Sequence, residues 1–274
     1  MTAAEPPGAP LAGDLTGARV AAGPGAGGAA RAPVLFVHGL FAGAWMFAGW
    51  QRRFAARGRA SVALDLRGHH GSRPVAELGR VSMRDYIADA LDVARTMDRP
   101  VVVGHSMGGL VALALAEAGA VRAAVLLCSA PPRGILPGGP ALLRRQIKHL
   151  PALLRSRPLF PDRADADALI FTRVPAAERD ALYARLVPDS GRAARDLSFG
   201  AIAVDARHVR VPVLSVTALD DRFVAPRAGA ALARRYGATL LRLDGFAHLL
   251  PAEPGWERAA DAVLDWIDGV ERAP

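Results

Sequence analysis

The residue best placed for chemistry is Ser106, in Gly104-His105-Ser106-Met107-Gly108. The β-branched run Val101-Val102-Val103 precedes it, and the small-residue stretch Leu110 to Ala118 follows. A serine at so abrupt a change from strand to helix occupies a strained corner; glycines two residues to either side relieve the crowding and leave the hydroxyl exposed. A bare G-x-S-x-G pattern also suits a glycine-rich turn with a solvated serine, so the context has to separate the two. Near neutral pH the hydroxyl becomes a nucleophile only beside a base that titrates there, which is histidine, and a carboxylate is needed to hold that imidazole in one tautomer. Seven histidines are present, at 38, 69, 70, 105, 149, 208 and 248, and carboxylates follow strand-like runs at Asp65 and at Asp220-Asp221.

Placing these groups together requires a sheet. From Pro33 onward short runs that are apolar on both faces alternate with helical periodicity, the pattern of βαβ units around a mostly parallel sheet. The strands expected are Val34 to Val37, Ser61 to Leu66, Val101 to Val103, Ala123 to Leu127, Val213 to Thr217 and Thr239 to Leu243, with Pro33, Pro100 and Pro212 at or just before strand starts, where a missing N–H costs least. Ser82 with Asp85 three residues on reads as a capping box for a helix through Met97. A last helix is expected from Gly255 to Gly269, with Trp256, Ala259, Ala260, Val263, Leu264 and Ile267 on one face. Residues Thr16 to Ala30 could hold a hairpin, although their glycines argue against it.

Composition excludes several functions. A chain of 274 residues, 51% hydrophobic, can bury one substantial core. The net charge of +8 comes almost wholly from arginine, Lys148 being the only lysine, and aromatic residues make up only 6%. Without basic runs interleaved with aromatics, nucleic-acid binding is not expected. The single Cys128 excludes an internal disulfide and suits a reducing compartment. No signal peptide and no unbroken apolar span are read, so a soluble, cytoplasmic protein is expected. No metal site is expected, since adjacent His69 and His70 lack a carboxylate at ligand spacing, and no dinucleotide or phosphate-binding loop implies a cofactor.

Taken together, Val37-His-Gly-Leu40, Asp65-Leu-Arg-Gly-His-His-Gly-Ser72, the Ser106 pentapeptide, Asp220-Asp-Arg-Phe-Val224 and Gly245-Phe-Ala-His248 resemble the α/β-hydrolase superfamily, over nearly all of residues 33 to 270. The run from His38 to Trp45 is similar to that of small capped esterases of the lysophospholipase-like kind and of the plant methylesterase and hydroxynitrile lyase branch. The resemblance implies an eight-stranded, mostly parallel doubly wound sheet with an inserted helical cap, and a Ser-Asp-His triad. It makes Ser106 the nucleophile and His248, in the loop before the final helix, the base; the other histidines read as structural or solvated. The family carries its acid at the spacing of Asp221, three residues beyond Ala218, and Asp220 is the alternative. Asp65 is read instead as the partner of Arg67 in a loop-organising salt bridge. The resemblance places the two oxyanion donors on the backbone of Leu40 and Met107. Two departures stand out: Ala218 where glycine is common, and Phe246-Ala247 where glycine and histidine are usual.

The domain reading is a weakly structured segment 1–32, a hydrolase core 33–132 and 209–274, and a helical cap 133–208. In the cap, Leu143, Ile147, Leu150 and Leu154 recur at helical spacing among Arg144, Arg145, Lys148 and Arg155. Two expectations follow: a lid packed over the core, or an apolar face covering the acyl pocket beneath a basic rim that attracts an anionic substrate, such as a coenzyme A thioester or an acyl-carrier protein. The leading functional reading is a serine hydrolase cleaving an ester or thioester of small-molecule size through an acyl-enzyme. A non-hydrolytic lyase, a C–C bond-cleaving or tailoring enzyme of the same fold is the alternative, followed by a small-molecule receptor.

Overall fold

The computed structural model describes residues 9–23, 31–138, 142 and 147–272. Its main sheet has eight strands, β1 (Ala9–Ala12), β2 (Leu15–Val20), β3 (Val34–Val37), β4 (Ser61–Asp65), β5 (Val101–His105), β6 (Ala123–Leu127), β9 (Val213–Ala218) and β10 (Thr239–Leu243), in the order β1-β2-β4-β3-β5-β6-β9-β10. β1, β2 and β4 pair antiparallel; every pairing from β4 across to β10 is parallel. The remaining two strands, β7 (Pro158–Leu159) and β8 (Asp189–Ser190), form a separate antiparallel ribbon.

The central strands are apolar on both faces because both faces are covered. Val34 and Phe36 belong to one core with Trp50 and Phe54 of the helix Ala48–Ala56 and Val263 and Ile267 of the helix Trp256–Arg272. Leu35 and Val37 belong to the other, with Tyr86 and Val93 of the helix Met83–Arg95 and most of the helix Met107–Glu117. Phe36 is the centre of an aromatic cluster, 4.8 Å from the Phe47 ring and 5.2 Å from that of Phe54. Each such side chain, fully buried, contributes about 1.5–3 kcal/mol by leaving water. The Ser82–Asp85 capping box is formed reciprocally, starting the helix at Met83.

The N-terminal reading is corrected over residues 9–20. They are not a weakly structured tail but a hairpin that extends the sheet, and it ends well before Ala30. Backbone pairing of β2 with β4 carries it, from Thr16 opposite Asp65 to Val20 opposite Ser61, and backbone pairing leaves little side-chain pattern to read. Gly17, which argued against a strand, is needed within one: a Cβ there would lie 2.1 Å from the Ala63 carbonyl oxygen.

The chain leaves β3 for β4 on one side and reaches β5 on the other, so a crevice opens where the carboxyl ends of β3 and β5 part. Ser106 follows β5 there. Between β6 and β9 the alternation stops, and short helices (Leu150–Leu154, Ala176–Tyr183, Gly191–Ser198) and the β7–β8 ribbon contribute no strand to the main sheet. The turn at Ser106 tolerates no bulk, since a Cβ on Gly104 would stand 2.0 Å from the Gly108 carbonyl oxygen. Gly104→Ala should therefore destabilise the protein by about 1–3 kcal/mol or more, read as a lowered denaturation midpoint; an unchanged midpoint would mean that the elbow is looser than this geometry.

Candidate active site

Ser106 has φ 53° and ψ −117°, a left-handed conformation rare for a residue with a side chain. Its backbone is pinned: its N–H donates to Leu127 O at 2.9 Å, and its carbonyl accepts from Gly109 and Ala130, each at 2.9 Å. Two further close approaches crowd the turn. A Cβ on Gly108 would meet the Val37 carbonyl oxygen at 2.2 Å, and one on Gly39 would meet Ser106 Cβ at 2.9 Å. The loop after β3, which carries Leu40, therefore lies directly against the serine, and Met107 opens the helix whose first N–H groups have no partner within the helix itself.

Ser106, His248 and Asp221 are brought together from three loops. His248 Nδ1 lies 2.9 Å from Asp221 Oδ2 and its Nε2 lies 3.1 Å from Ser106 Oγ. A carboxylate can only accept, so Nδ1 carries a proton toward it and the neutral imidazole presents Nε2 as an acceptor for the serine hydroxyl. Asp221 Oδ1 accepts the N–H groups of Phe223 and Val224, both at 2.8 Å, which fixes the carboxylate. The Phe223 ring stacks on the imidazole at 4.8 Å. Its neighbour Asp220 turns outward to an ion pair with Arg173. The Asp220 N–H donates to Phe246 O, tying the acid loop to the histidine loop. Ala218, Phe246 and Ala247 all have negative φ, so the two departures from the family pattern leave the backbone unstrained.

The other histidines divide. His105 Nε2–H donates to the His248 carbonyl at 2.6 Å; burial, then the charge of His248, pushes its pKa down to about 3, so it is a neutral strut. His38 Nε2 accepts the Leu66 N–H at 3.2 Å, leaving Nδ1–H to donate to Gly39 O at 2.7 Å, and burial followed by the charge of His69 pushes its pKa to about 3. Both nitrogens of His69 face acceptors, Arg67 O and Asp189 Oδ2, each at 3.0 Å, which only an imidazolium satisfies. Burial opposes that charge, but the Asp189 carboxylate outweighs it and raises the His69 pKa. Asp65 is not organised by Arg67, whose bonds run to Asp85 and Asp89; its Oδ1 accepts the Ala44 N–H at 2.7 Å.

Beside Ser106 opens a largely apolar cavity of about 450 Å³, lined among others by Leu40, Leu142, Leu153, Leu159, Leu169 and Ile170. The inserted segment thus supplies pocket leucines, but not those expected. Ile147, Leu150 and Leu154 are 60%, 38% and 59% exposed and face away, because it is Leu153 that turns inward. Lys148 is bound to Asp162 at 2.5 Å and to Asp165 at 2.7 Å, which removes it from the expected basic rim. Leu143, Arg144 and Arg145 lie outside the described residues. Among the described residues no group of three or more metal-ligating side chains occurs, and no helix is long and apolar enough to cross a membrane.

A family model described as alpha/beta hydrolase family matches residues 34–266, and the chain belongs to that family of enzymes. None of the curated proteins matches it in sequence. Among solved structures, a monoacylglycerol lipase from Paleococcus ferrophilus shares 21% identity at a TM-score of 0.73, covering 92% of this chain and 98% of its own. An esterase from Rhodococcus sp. ECU1013 shares 22% at 0.68, covering 95% and 98%. An esterase from Exiguobacterium antarcticum shares 16% at 0.71, covering 94% and 98%. At these identities the likeness shows the fold.

Two groups escaped the sequence reading, Asp189 and Glu253, since neither follows a strand or fits a motif. Glu253 accepts the N–H of Ala247 at 2.6 Å and that of Leu249 at 3.0 Å, gripping the residues on both sides of His248. Burial raises its pKa from 4.5 to about 7, against the opposing pull of those N–H groups and of His248. A raised acid pKa means that the folded state holds the proton more tightly than the unfolded chain, so stability should fall as pH rises from about 4.5 to about 7, by up to about 3 kcal/mol, and level off above. Denaturation midpoints of the wild type relative to Glu253→Gln should drop across that window and run parallel beyond it; parallel curves throughout would show Glu253 already ionised at the acid end.

Proposed function

We propose that this protein is a serine esterase acting on small-molecule acyl esters or thioesters through an acyl-enzyme. The observation that carries the reading is the continuous chain from Ser106 Oγ to His248 Nε2 at 3.1 Å and from His248 Nδ1 to Asp221 at 2.9 Å, ending beside an apolar cavity. Ser106 Oγ attacks the acyl carbonyl and its proton passes to His248 Nε2, while Asp221 stabilises the imidazolium that forms. The N–H groups of Leu40 and Met107 receive the oxyanion. Collapse expels the alcohol or thiol, which takes the proton from His248, and water activated by the same imidazole releases the acid and regenerates Ser106.

We further assign residues 33–132 and 209–274, together with the β1–β2 hairpin that extends their sheet, to the catalytic core, and 133–208 to a cap whose leucines form the acyl-binding wall. The largely apolar lining supports an uncharged aliphatic acyl group, and the pairing of Lys148 with Asp162 and Asp165 takes one of the four expected rim charges away from an anionic or carrier-protein substrate. The names of the lipase and the two esterases that share the fold agree with ester cleavage. The one cysteine can form no internal disulfide, which suits a reducing, cytoplasmic setting.

Ser106→Ala should abolish p-nitrophenyl ester hydrolysis and fluorophosphonate labelling while leaving the denaturation midpoint near that of the wild type; retained turnover would remove Ser106 from the chemistry. Asp221→Asn should lower kcat by about 10⁴ through the wrong imidazole tautomer, whereas Asp220→Asn should cost little. Reversed magnitudes would move the acid.

Lengthening a linear acyl chain within the cavity should raise kcat/KM by up to about fourfold per methylene, the equivalent of about 0.8 kcal/mol. Leu153→Phe should shorten the preferred chain, as read from kcat/KM across a series of p-nitrophenyl esters. A flat series in both proteins would mean that the acyl group lies elsewhere.

A further inference from the structure

Leu40 stands between two peptide groups that are each held by a hydrogen bond to a buried side chain. The preceding carbonyl, Gly39 O, accepts His38 Nδ1–H at 2.7 Å. Because a trans peptide points its N–H opposite its carbonyl, anchoring Gly39 O aims the Leu40 N–H the other way. The following amide, Phe41 N–H, donates to Asp189 Oδ2 at 2.9 Å, and the Phe41 carbonyl accepts Val187 N–H at 2.9 Å. Phe41 is held at φ 68°, a left-handed conformation that costs on the order of 1–3 kcal/mol and persists only where its surroundings impose it. Both polar groups of this strained residue are bound by residues 187–189, which are distant in sequence.

Asp189 is itself a convergence point. Fully buried, it accepts from Phe41 N–H and His69 Nε2–H on Oδ2 and from Tyr86 Oη–H, at 2.7 Å, and Ser190 N–H on Oδ1. Its partners come from the loop after β3, the loop after β4, the helix Met83–Arg95 and the inserted segment. Burying a carboxylate with a histidine is weak evidence for stability, since well-packed apolar groups often do as well. Such a pair is better explained by the geometry that it imposes.

We propose that Asp189 is a positioning residue for the oxyanion donor Leu40, so that the inserted segment completes the oxyanion hole as well as walling the pocket. This rests on the serine-esterase reading above. The Asp189→Asn side chain keeps one accepting oxygen and replaces the other by a donor, so it cannot accept from both the Phe41 and the Ser190 N–H groups, which lie on opposite oxygens of the carboxylate.

The test measures Asp189→Asn in the full chain on p-nitrophenyl butyrate. An oxyanion donor out of place should lower kcat by about 10²-fold with KM within about threefold, and should weaken inhibition by an alkyl trifluoromethyl ketone, which forms a tetrahedral oxyanion on serine, by a similar factor. Amide hydrogen exchange of residues 38–42 should quicken. Leu232→Ala, a core truncation in the helix Pro226–Tyr236, controls for lost stability and should leave kcat unchanged. If Asp189→Asn does not fold, Tyr86→Phe decides by the same readings, with kcat lowered severalfold at constant KM and faster exchange at 38–42. Unchanged exchange at 38–42, a kcat within twofold of the wild type, or a loss matched by Leu232→Ala would overturn the proposal. If the wild type neither hydrolyses the ester nor takes up a fluorophosphonate at Ser106, the esterase reading fails instead, and the exchange rates alone decide whether Asp189 holds the loop.

Discussion

Three stretches of backbone meet at Ser106 more closely than side chains would allow. Gly104 faces the carbonyl of Gly108, Gly108 faces that of Val37, and Gly39 faces the serine Cβ, each at a separation where a methyl group would collide. Because nothing larger than hydrogen fits, the end of β5, the start of the helix Met107–Glu117 and the loop after β3 have one mutual arrangement. That arrangement fixes the serine hydroxyl relative to the Leu40 and Met107 amides before any substrate arrives. The two apolar layers that cover the sheet stabilise a strained φ that no local preference of serine would hold.

Around this point, groups that would be costly alone in the interior are paired so that each fixes a loop. Glu253 binds the amides on both sides of His248, Asp221 binds those of Phe223 and Val224, and Asp189 joins Phe41 to His69 and Tyr86. Irregular backbone at the carboxyl end of the sheet has N–H groups without ladder partners, and buried carboxylates satisfy them at short range. The loops become nearly as determined as the strands, which is what a site built on three loops requires.

The inserted segment is less regular. It reaches the pocket through Leu142, Leu153, Leu159, Leu169 and Ile170, while the apolar positions at 147, 150 and 154 point outward. It is tied to the core by polar contacts at Asp189 and Val187 as well as by buried apolar side chains such as Leu153, Ile170 and Phe171. Lys148, one of the residues expected to form a basic rim, is paired with Asp162 and Asp165.

The sequence by itself determined the parts whose signal is local. Strands apolar on both faces, the Ser82–Asp85 cap, the glycines around Ser106 and the apolar stripe of the last helix are all readable because strand and helix periodicity and turn sterics act within a few residues. Only the tertiary structure decided which histidine stands within hydrogen-bond reach of Ser106 and which aspartate within reach of that histidine, that residues 9–20 form strands, and that Leu153 rather than Ile147 turns inward. It alone revealed Asp189 and Glu253, carboxylates whose surroundings are backbone amides of loops up to 148 positions away. Those choices depend on contacts between stretches distant in the chain and on backbone hydrogen bonds, and a backbone amide looks the same whatever residue carries it.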